Sequence, residues 1–249
     1  MTHLLVVSDV HKHFGGVRAV QGVSMRLEEG KVVGLIGPNG SGKSTLLNVI
    51  AGMEKPTKGT ITFDQQRIDR WPAYRVVARG IAKTHQIPKP FLGMTCRENV
   101  AVAIMFGGRA RRQHSSQSLG EADRVLDLVG LEAKADVVSS SLTVQERKRL
   151  EFARVLGTGA RILLLDEIFA GLSPEELRDA IALFAKVHGE IGFGALVVEH
   201  VMRAVLTLSE HVIVIEEGKK IAEGPPREIV ENPAVIEAYL GTEGAHAAS

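Results

Sequence analysis

The chain has 249 residues, 45% hydrophobic and 24% charged, a balance typical of a globular α/β protein of one domain or two closely joined lobes. A net charge of +1 gives no overall basic surface for nucleic acid, and no segment reaches the ~18 apolar residues of a membrane-spanning helix. A single cysteine, Cys96, excludes an internal disulfide and fits a packing residue in a reducing compartment. The first residues lack a basic region followed by a long apolar core, so we expect no secretory signal.

The N-terminal part of the chain reads mainly as strand. Short apolar runs at residues 4–7, 23–27 and 32–36 are separated by glycine-containing turns, and a fourth run lies at 60–63. Between the third and fourth runs, residues 45–51 read as a helix. Antiparallel strands at the start, followed by alternating strands and helices, predict an α/β protein with a mixed sheet.

The middle of the chain changes to helical patterns. Apolar residues follow a helical spacing at 98–106, 119–129 and 144–156. The polar segment 107–116 between the first two is interpreted as a solvated loop. Its arginines leave open a contact with lipid phosphate or nucleic acid, although the patch is short and lacks interleaved aromatic residues.

The alternation of strands and helices resumes after residue 160. The predicted elements are strands at 162–165, 195–198, 212–215 and 219–222 and helices at 174–187, 202–208 and 233–240. Ser173 and Glu176 have the spacing of a capping box, with Pro174 at the first helical position. The last nine residues, 241–249, are predicted to be disordered.

The most specific motif lies between the run at 32–36 and the helix at 45–51. It matches G-x-x-x-x-G-K-[ST] and consists of Gly37, Pro38, Asn39, Gly40, Ser41, Gly42, Lys43 and Ser44, with Thr45 directly after it. Glycines let backbone N–H groups turn inward, and the following helix N-terminus adds partial positive charge, so the loop suits phosphate. We expect Lys43 to reach the β- and γ-phosphates and the Ser44 hydroxyl to ligate Mg²⁺. The alternative is a chance glycine-rich turn, which the flanking strand and helix disfavour.

A second motif is the apolar run at 162–165, which ends in the carboxylates of Asp166 and Glu167. Ligands of α/β sheets bind beyond the carboxyl ends of the strands, so Asp166 is expected to hold Mg²⁺ through water. Glu167 is expected to lie near the γ-phosphate and to orient the attacking water. Taken alone, the pair also fits a solvated strand end.

Together these motifs make the chain resemble the ATP-binding cassette subunits of ABC transporters, over residues 3–242. The resemblance implies a P-loop NTPase fold with a RecA-like core, a mixed sheet, an N-terminal antiparallel β subdomain and an inserted helical lobe. The implied division of the single domain is a core with its β subdomain at 1–87 and 157–242, a helical lobe at 88–156, and a tail at 243–249.

The resemblance assigns roles to three further residues. Phe14 matches the aromatic residue that stacks on adenine, although a core phenylalanine is the alternative. Gln86 matches the glutamine that contacts Mg²⁺ and water and joins the catalytic core to the helical lobe. His200 matches the histidine that hydrogen-bonds the γ-phosphate and helps position Glu167, where a structural histidine is the alternative.

The largest departure from the family is its signature motif, usually Leu-Ser-Gly-Gly-Gln or -Glu. The aligned residues are Leu142, Thr143, Val144, Gln145 and Glu146, so both glycines are replaced. In the family this segment opens a helix whose N-terminus caps the γ-phosphate bound to the opposite subunit, whereas Thr143 and Glu146 also form a capping-box pattern. We therefore expect an altered or slower site.

The D-loop is matched by position and also departs from the family pattern. Its residues are Ala170, Gly171, Leu172 and Ser173. Ser173 stands where the family usually has an acidic residue, which puts a salt-bridging role in doubt.

Within the family, segments 14–20, 149–154, 170–172, 199–200 and 235–241 resemble the branch that imports polar and branched-chain amino acids. This likeness implies a subunit that hydrolyses ATP, with Mg²⁺, to drive uptake of branched-chain amino acids or related small polar solutes. Alternatives are a urea or amide importer ATPase, a lipopolysaccharide-export-type ATPase, and a non-transport ABC ATPase or regulator.

The resemblance also implies partners and a location. These are transmembrane permease subunits, a second ABC ATPase subunit in a homo- or heterodimer and, indirectly, a solute-binding protein, with no nucleic acid. The location is peripheral, at the cytoplasmic face of the inner membrane. The altered signature favours a heterodimer, and Phe91, Leu92 and Met94 are candidate permease contacts, with ordinary lobe core as the alternative.

Overall fold

The computed structural model describes residues 3–108 and 115–246. Within these ranges the strands are β1 (Leu5–Phe14), β2 (Val17–Leu27), β3 (Val32–Ile36), β4 (Lys58–Phe63), β5 (Gln66–Arg67), β6 (Ile81–Lys83), β7 (Ile162–Asp166), β8 (Gly194–Val198), β9 (His211–Glu216) and β10 (Lys219–Gly224). The helices are α1 (Lys43–Ile50), α2 (Ala73–Arg79), α3 (Cys96–Phe106), α4 (Ser115–Leu128), α5 (Val144–Gly157), α6 (Pro174–Ile191), α7 (Met202–Leu208), α8 (Pro226–Glu231) and α9 (Pro233–His246). Most of the solvated loop predicted at 107–116 lies outside the described residues.

The chain divides into two compact units. The first combines Met1–Pro72 with Gly194–Ser249, and the second is Ala73–Phe193. The helical lobe predicted at 88–156 falls within the span of the second unit, and its role as a separate lobe stays a prediction.

An antiparallel sheet in the first unit has the strand order β2-β1-β4-β5. Leu5 of β1 pairs with Leu27 on one side and with Phe63 on the other, and all three are buried. The register shifts between Val7 and Val10, where Asp9 has a φ of 48°. This bulge keeps both valines buried on the core side of β1.

A second sheet in the first unit contains β10, β9, β3 and β8 in that order. Strand β3 is parallel to both β8 and β9, whereas β10 is antiparallel to β9. All five residues of β3 are buried, as are all five of β8, because parallel strands carry helices on both faces. The mixed sheet and the N-terminal antiparallel sheet predicted from the sequence are both present.

The second unit contains the parallel pair β6 and β7 and five helices within its described residues. Helix α3 packs against α4 and α5. Strand β6 and helix α2 were not predicted, because three and seven residues are too short for a clear periodic pattern. Cys96 is fully buried at the start of α3, and burial raises the pKa of its thiol, which fits a packing role.

Two features of the helices refine the sequence predictions. The predicted capping box of α6 is confirmed, because the Ser173 hydroxyl accepts from the Glu176 N–H and the Glu176 carboxylate accepts from the Ser173 N–H. The predicted disorder from residue 241 is wrong as far as His246, since α9 continues to that residue.

None of the helices in the described residues is long and apolar enough to cross a bilayer.

The core of the second unit is rich in aromatic rings. Phe184 of α6 is 2% exposed, and its ring centroid lies 5.8 Å from those of Phe152 and Phe193 and 6.2 Å from that of Phe169. Edge-to-face and offset arrangements at such distances add to the free energy gained by burying the rings. Phe184 therefore packs α6 against α5 and against the segment after β7.

We predict that Phe184→Ala lowers the free energy of unfolding by about 3–5 kcal/mol, because it empties a ring-sized space at the centre of this cluster. Urea denaturation followed by circular dichroism measures the change. The control is Ile191→Ala on the same helix, whose side chain is 47% exposed, and we expect a loss below about 1 kcal/mol there. Equal losses in the two variants would contradict this account of the core.

Candidate functional site

The segment from Gly37 to Ser44 forms the loop after β3 and the first two residues of α1, and the loop is packed closely against neighbouring backbone. Gly37 has a φ of 150°, and a Cβ there would lie 1.9 Å from the Ile215 carbonyl oxygen. Gly42 has a φ of 101°, and its Cβ would lie 2.1 Å from the Ala19 carbonyl oxygen. Only glycine fits at these two positions, which explains their place in the motif.

The side chain of Lys43 folds back over this loop. Its Nζ donates to the carbonyl oxygens of Gly37 at 2.8 Å and Pro38 at 2.7 Å, and to the Ser41 hydroxyl at 3.3 Å. Lys43 is buried, as is Ser41, and the hairpin between β9 and β10 fixes the loop through the Gly218 N–H, which donates to the Ser41 carbonyl oxygen. The ammonium is thus held by two backbone carbonyl oxygens and one hydroxyl of the loop.

The predicted residues of the first unit cluster at one sheet edge, with Phe14 as an exception. Leu35 and Val198 pair in the parallel strands β3 and β8, so the loop after Ile36 and the exposed His200 both follow strand ends on the same edge. Among the other motif residues, Asn39 and Gly40 are exposed, and Ser44 and Thr45 lie in the first turn of α1. Phe14 ends β1 and is 45% exposed.

Asp166 and its neighbours form a polar cluster in the second unit. Asp166 ends the fully buried strand β7 and is 2% exposed. Its Oδ2 accepts from Lys83 Nζ at 2.9 Å, and its backbone N–H donates to the Thr84 hydroxyl at 2.9 Å. A buried carboxylate requires such a partner, and Lys83 supplies it, while the Thr84 hydroxyl satisfies the backbone N–H of the same residue.

Glu167 follows at once and contacts the predicted glutamine. Its Oε2 accepts from Gln86 Nε2 at 2.7 Å. Its backbone has a φ of 54°, in the left-handed region that a non-glycine residue enters at some energetic cost. Strained residues concentrate at functional sites, so the backbone of Glu167 supports its selection as a candidate.

The segment aligned with the signature contains the N-terminus of α5, which is closed by a capping box. The Thr143 hydroxyl accepts from the Glu146 N–H at 3.2 Å, and the Glu146 carboxylate accepts from the Thr143 N–H at 2.9 Å. This backbone hydrogen bond is the main cause that lowers the pKa of Glu146. The side chain of Val144 is 73% exposed, that of Gln145 is partly exposed, and that of Leu142 is buried.

The D-loop residues run from β7 to α6 in the second unit. Ala170 accepts a hydrogen bond from Lys148 of α5 at its carbonyl oxygen, and Gly171 has a φ of 71°. Ser173 stands where the family usually has an acidic residue, and here its side chain caps the N-terminus of α6. Leu172 lines a small apolar cavity of about 50 Å³ together with Phe169.

Three polar residues were not singled out from the sequence. Lys83 and Thr84 contact Asp166, and Lys12 lies against Phe14. In the sequence these residues are marked only by their position next to candidate site residues. Lys83 and Thr84 lie just before Gln86, and Lys12 lies two residues before Phe14. Contacts between residues 83 positions apart, such as Lys83 and Asp166, depend on strand pairing and leave no local pattern.

Known families and proteins match nearly the whole chain. The ABC transporter family matches residues 20–170, and the branched-chain amino acid ATP-binding cassette transporter family matches residues 219–245. The chain is 38% identical to the high-affinity branched-chain amino acid transport ATP-binding protein BraF of Pseudomonas aeruginosa, over 96% of this chain and 98% of that protein. It is 36% identical to the high-affinity branched-chain amino acid transport ATP-binding protein LivG of Escherichia coli K12, with the same coverage.

Solved structures agree with this result. The ADP conformation of MJ1267, an ATP-binding cassette of an ABC transporter, superposes with a TM-score of 0.87 at 29% identity, over 97% of this chain and 100% of that one. The dimeric post-hydrolysis state of the ATP-binding cassette MJ0796, bound to ADP and Pi, gives a TM-score of 0.80 at 25% identity, over 90% of this chain and 99% of that one. The predicted P-loop NTPase fold class is confirmed, and the chain belongs to the ABC transporter family as an ATP-binding cassette ATPase.

Proposed function

We propose that this chain is the ATP-hydrolysing subunit of an importer for branched-chain amino acids or related small polar solutes. The observation that carries the proposal is the loop closed around Lys43, in a chain that resembles BraF and LivG along almost its whole length. The names of those relatives support the substrate class. The subunit would work peripherally at the cytoplasmic face of the inner membrane.

Phosphate binding is assigned to the loop and to the N-terminus of α1. Lys43 Nζ now donates to two loop carbonyl oxygens, and β- and γ-phosphate oxygens of ATP would replace these acceptors with stronger, charged ones. Gly42 occupies the N-cap position of α1 and has no side chain to cap the helix. The helix dipole and the first backbone N–H groups would therefore interact with the bound phosphate. The Phe14 ring would stack on adenine.

Hydrolysis, in which ATP and water give ADP and phosphate, is assigned mainly to positioning and to charge stabilisation. Glu167 polarises the attacking water, and the hydrogen bond from Gln86 Nε2 fixes the direction of its carboxylate. His200 donates to the γ-phosphate and supports the same water. Lys43 stabilises the charge that develops on the transferred group.

The donor chemistry fits Mg²⁺ as the cofactor. Ser44, Gln86 and Asp166 would supply oxygen ligands, and the Gln86 Oε1 is available as an acceptor because its Nε2 is the atom that donates to Glu167. Among the described residues no three His, Cys, Asp or Glu side chains form a metal cluster. Mg²⁺ keeps several waters and binds few protein groups besides the substrate phosphates. When bound, the ion neutralises phosphate charge.

The second cassette of the dimer is proposed to be a different chain. In this chain the catalytic residues match the family pattern, but the segment that would complete the partner's site has Val144 and Gln145 instead of glycines. Val144 is 73% exposed at the start of α5, so its side chain stands where a nucleotide on the partner would approach. A partner with both glycines would complete this chain's own site fully.

Permease subunits are proposed to dock on the exposed apolar segment of the second unit. Phe91, Leu92 and Met94 are 45%, 55% and 37% exposed, more than core residues allow. Phe91 and Phe106 line a groove of about 230 Å³, and the Arg154 guanidinium lies 5.1 Å from the centroid of the Phe91 ring. Exposed apolar side chains grouped on one short segment favour a protein partner.

Three other functions are candidates. The chain is 32% identical to the lipopolysaccharide export protein LptB of Acidithiobacillus ferridurans, over 98% of this chain and 99% of that protein, which keeps an export role open beside urea or amide import. A regulator with little hydrolysis is favoured by the altered signature alone. A phosphate-release assay separates the regulator from the transporter subunits.

We predict that Glu167→Gln lowers the turnover of ATP by about 100-fold or more, because the amide cannot polarise water, and traps an ATP-bound dimer. Phosphate release and size-exclusion chromatography with ATP measure the two effects. Glu175→Gln, at an exposed glutamate in the first turn of α6, is the matched control and should leave turnover unchanged. Undiminished turnover in the Glu167 variant would show that the base is assigned wrongly.

We also predict that Val144→Gly combined with Gln145→Gly raises ATP-driven dimerisation and turnover about two- to fivefold, because the N-terminus of α5 can then approach phosphate. The double alanine variant is the control, since it shortens both side chains but keeps both Cβ atoms. If the glycine variant leaves dimerisation and turnover unchanged, the two substitutions in this signature are neutral.

A further inference from the structure

Lys12 lies over the ring of Phe14, two residues further along β1. The distance from Lys12 Nζ to the ring centroid is 4.5 Å, within the range of about 6 Å at which a cation is attracted to an aromatic face. The Lys12 side chain is only 12% exposed, whereas Phe14 is 45% exposed. The ring therefore has an ammonium against it and still presents much of its surface to solvent.

The ammonium is held in place by the segment that follows α1. Lys12 Nζ donates to Glu54 Oε2 at 2.8 Å and to the Lys55 carbonyl oxygen at 3.1 Å. With two acceptors and a side chain that is 12% exposed, the Lys12 ammonium is more constrained than that of a typical surface ion pair, although the Glu54 side chain is 40% exposed. The position of the cation over the ring is thus set by groups outside β1.

Backbone hydrogen bonds tie the same two segments together on either side of Lys12. The Thr57 N–H donates to the His11 carbonyl oxygen at 2.7 Å, and the His13 N–H donates to the Thr57 hydroxyl at 3.0 Å. The Glu54 N–H donates in turn to the Asn48 carbonyl oxygen inside α1. The end of β1 is therefore fixed to the helix that begins at Lys43.

From this arrangement, and resting on the proposed ATPase function, we propose that Lys12 is a positioning residue that holds Phe14 as the platform for the nucleotide base. Glu54 anchors it and so fixes the platform relative to the phosphate-binding loop at the other end of α1. Lys12 does not touch the nucleotide in this role; it acts through the ring.

The chemistry of stacking gives the ammonium a second effect. The faces of an aromatic ring and of a purine both carry negative quadrupole charge, so direct face-to-face stacking is partly repulsive. A cation on one face of Phe14 draws electron density toward itself and makes the opposite face a better partner for a purine. The site would then recognise the π-face of the base and discriminate only weakly between adenine and guanine.

The test compares the affinities of the full chain for ATP and for inorganic tripolyphosphate, both with Mg²⁺, by isothermal titration calorimetry. Lys12→Met keeps the length of the side chain and removes its charge. We expect its affinity for ATP to fall about fivefold, with its affinity for tripolyphosphate unchanged, because only ATP carries a base. Lys12→Arg should restore most of the loss, and Glu54→Gln should reproduce part of it.

The matched control is Lys31→Met, at an exposed ion pair of the same unit where Lys31 Nζ lies 2.6 Å from Glu210 Oε2. It should leave both affinities unchanged. Equal losses for ATP and tripolyphosphate in Lys12→Met, or no loss for either, would overturn this inference. Wild-type protein that binds neither ligand would overturn the proposed function itself, so the two failures are distinguishable.

Discussion

The close packing of the loop after β3 against neighbouring backbone is the constraint on which the rest of the site depends. Gly37 lies against the Ile215 carbonyl and Gly42 against the Ala19 carbonyl, so the loop can close only with glycine at both positions. Closure brings loop carbonyl oxygens to Lys43 and leaves the ammonium buried but satisfied. The mixed sheet supplies the rigid support, because β9 and β3 are adjacent parallel strands.

A second constraint acts in the other unit, where two neighbouring carboxylates are held by hydrogen bonds from other side chains. Burial of Asp166 at the end of β7 is offset by Lys83 and by the Thr84 hydroxyl, and Glu167 is directed by Gln86. Each carboxylate has its own side-chain donor, which restricts the orientations that it can adopt. The backbone of Glu167 adds a further restriction, because its φ of 54° lies in the left-handed region.

The sequence predicted the features that have a local pattern. The β3 boundaries, α7 and the capping boxes at Thr143 and Ser173 follow from runs of apolar residues and from pairs three positions apart. Features that depend on distant pairing were missed: β6 is only three residues long, and the contact of Lys83 with Asp166 arises from its pairing with β7. The extension of α9 was missed because glycines and small residues gave its last turn no apolar pattern.

The most direct measurement is affinity purification of the full chain from native membranes, followed by mass spectrometry of the proteins that accompany it. We expect two permease subunits and a second, different cassette whose signature carries both glycines. Recovery of the chain with itself alone, or with ribosomes or DNA and no membrane protein, would contradict the transport function while leaving the ATP site intact. The solute-binding protein associated with the recovered permeases would then identify the substrate.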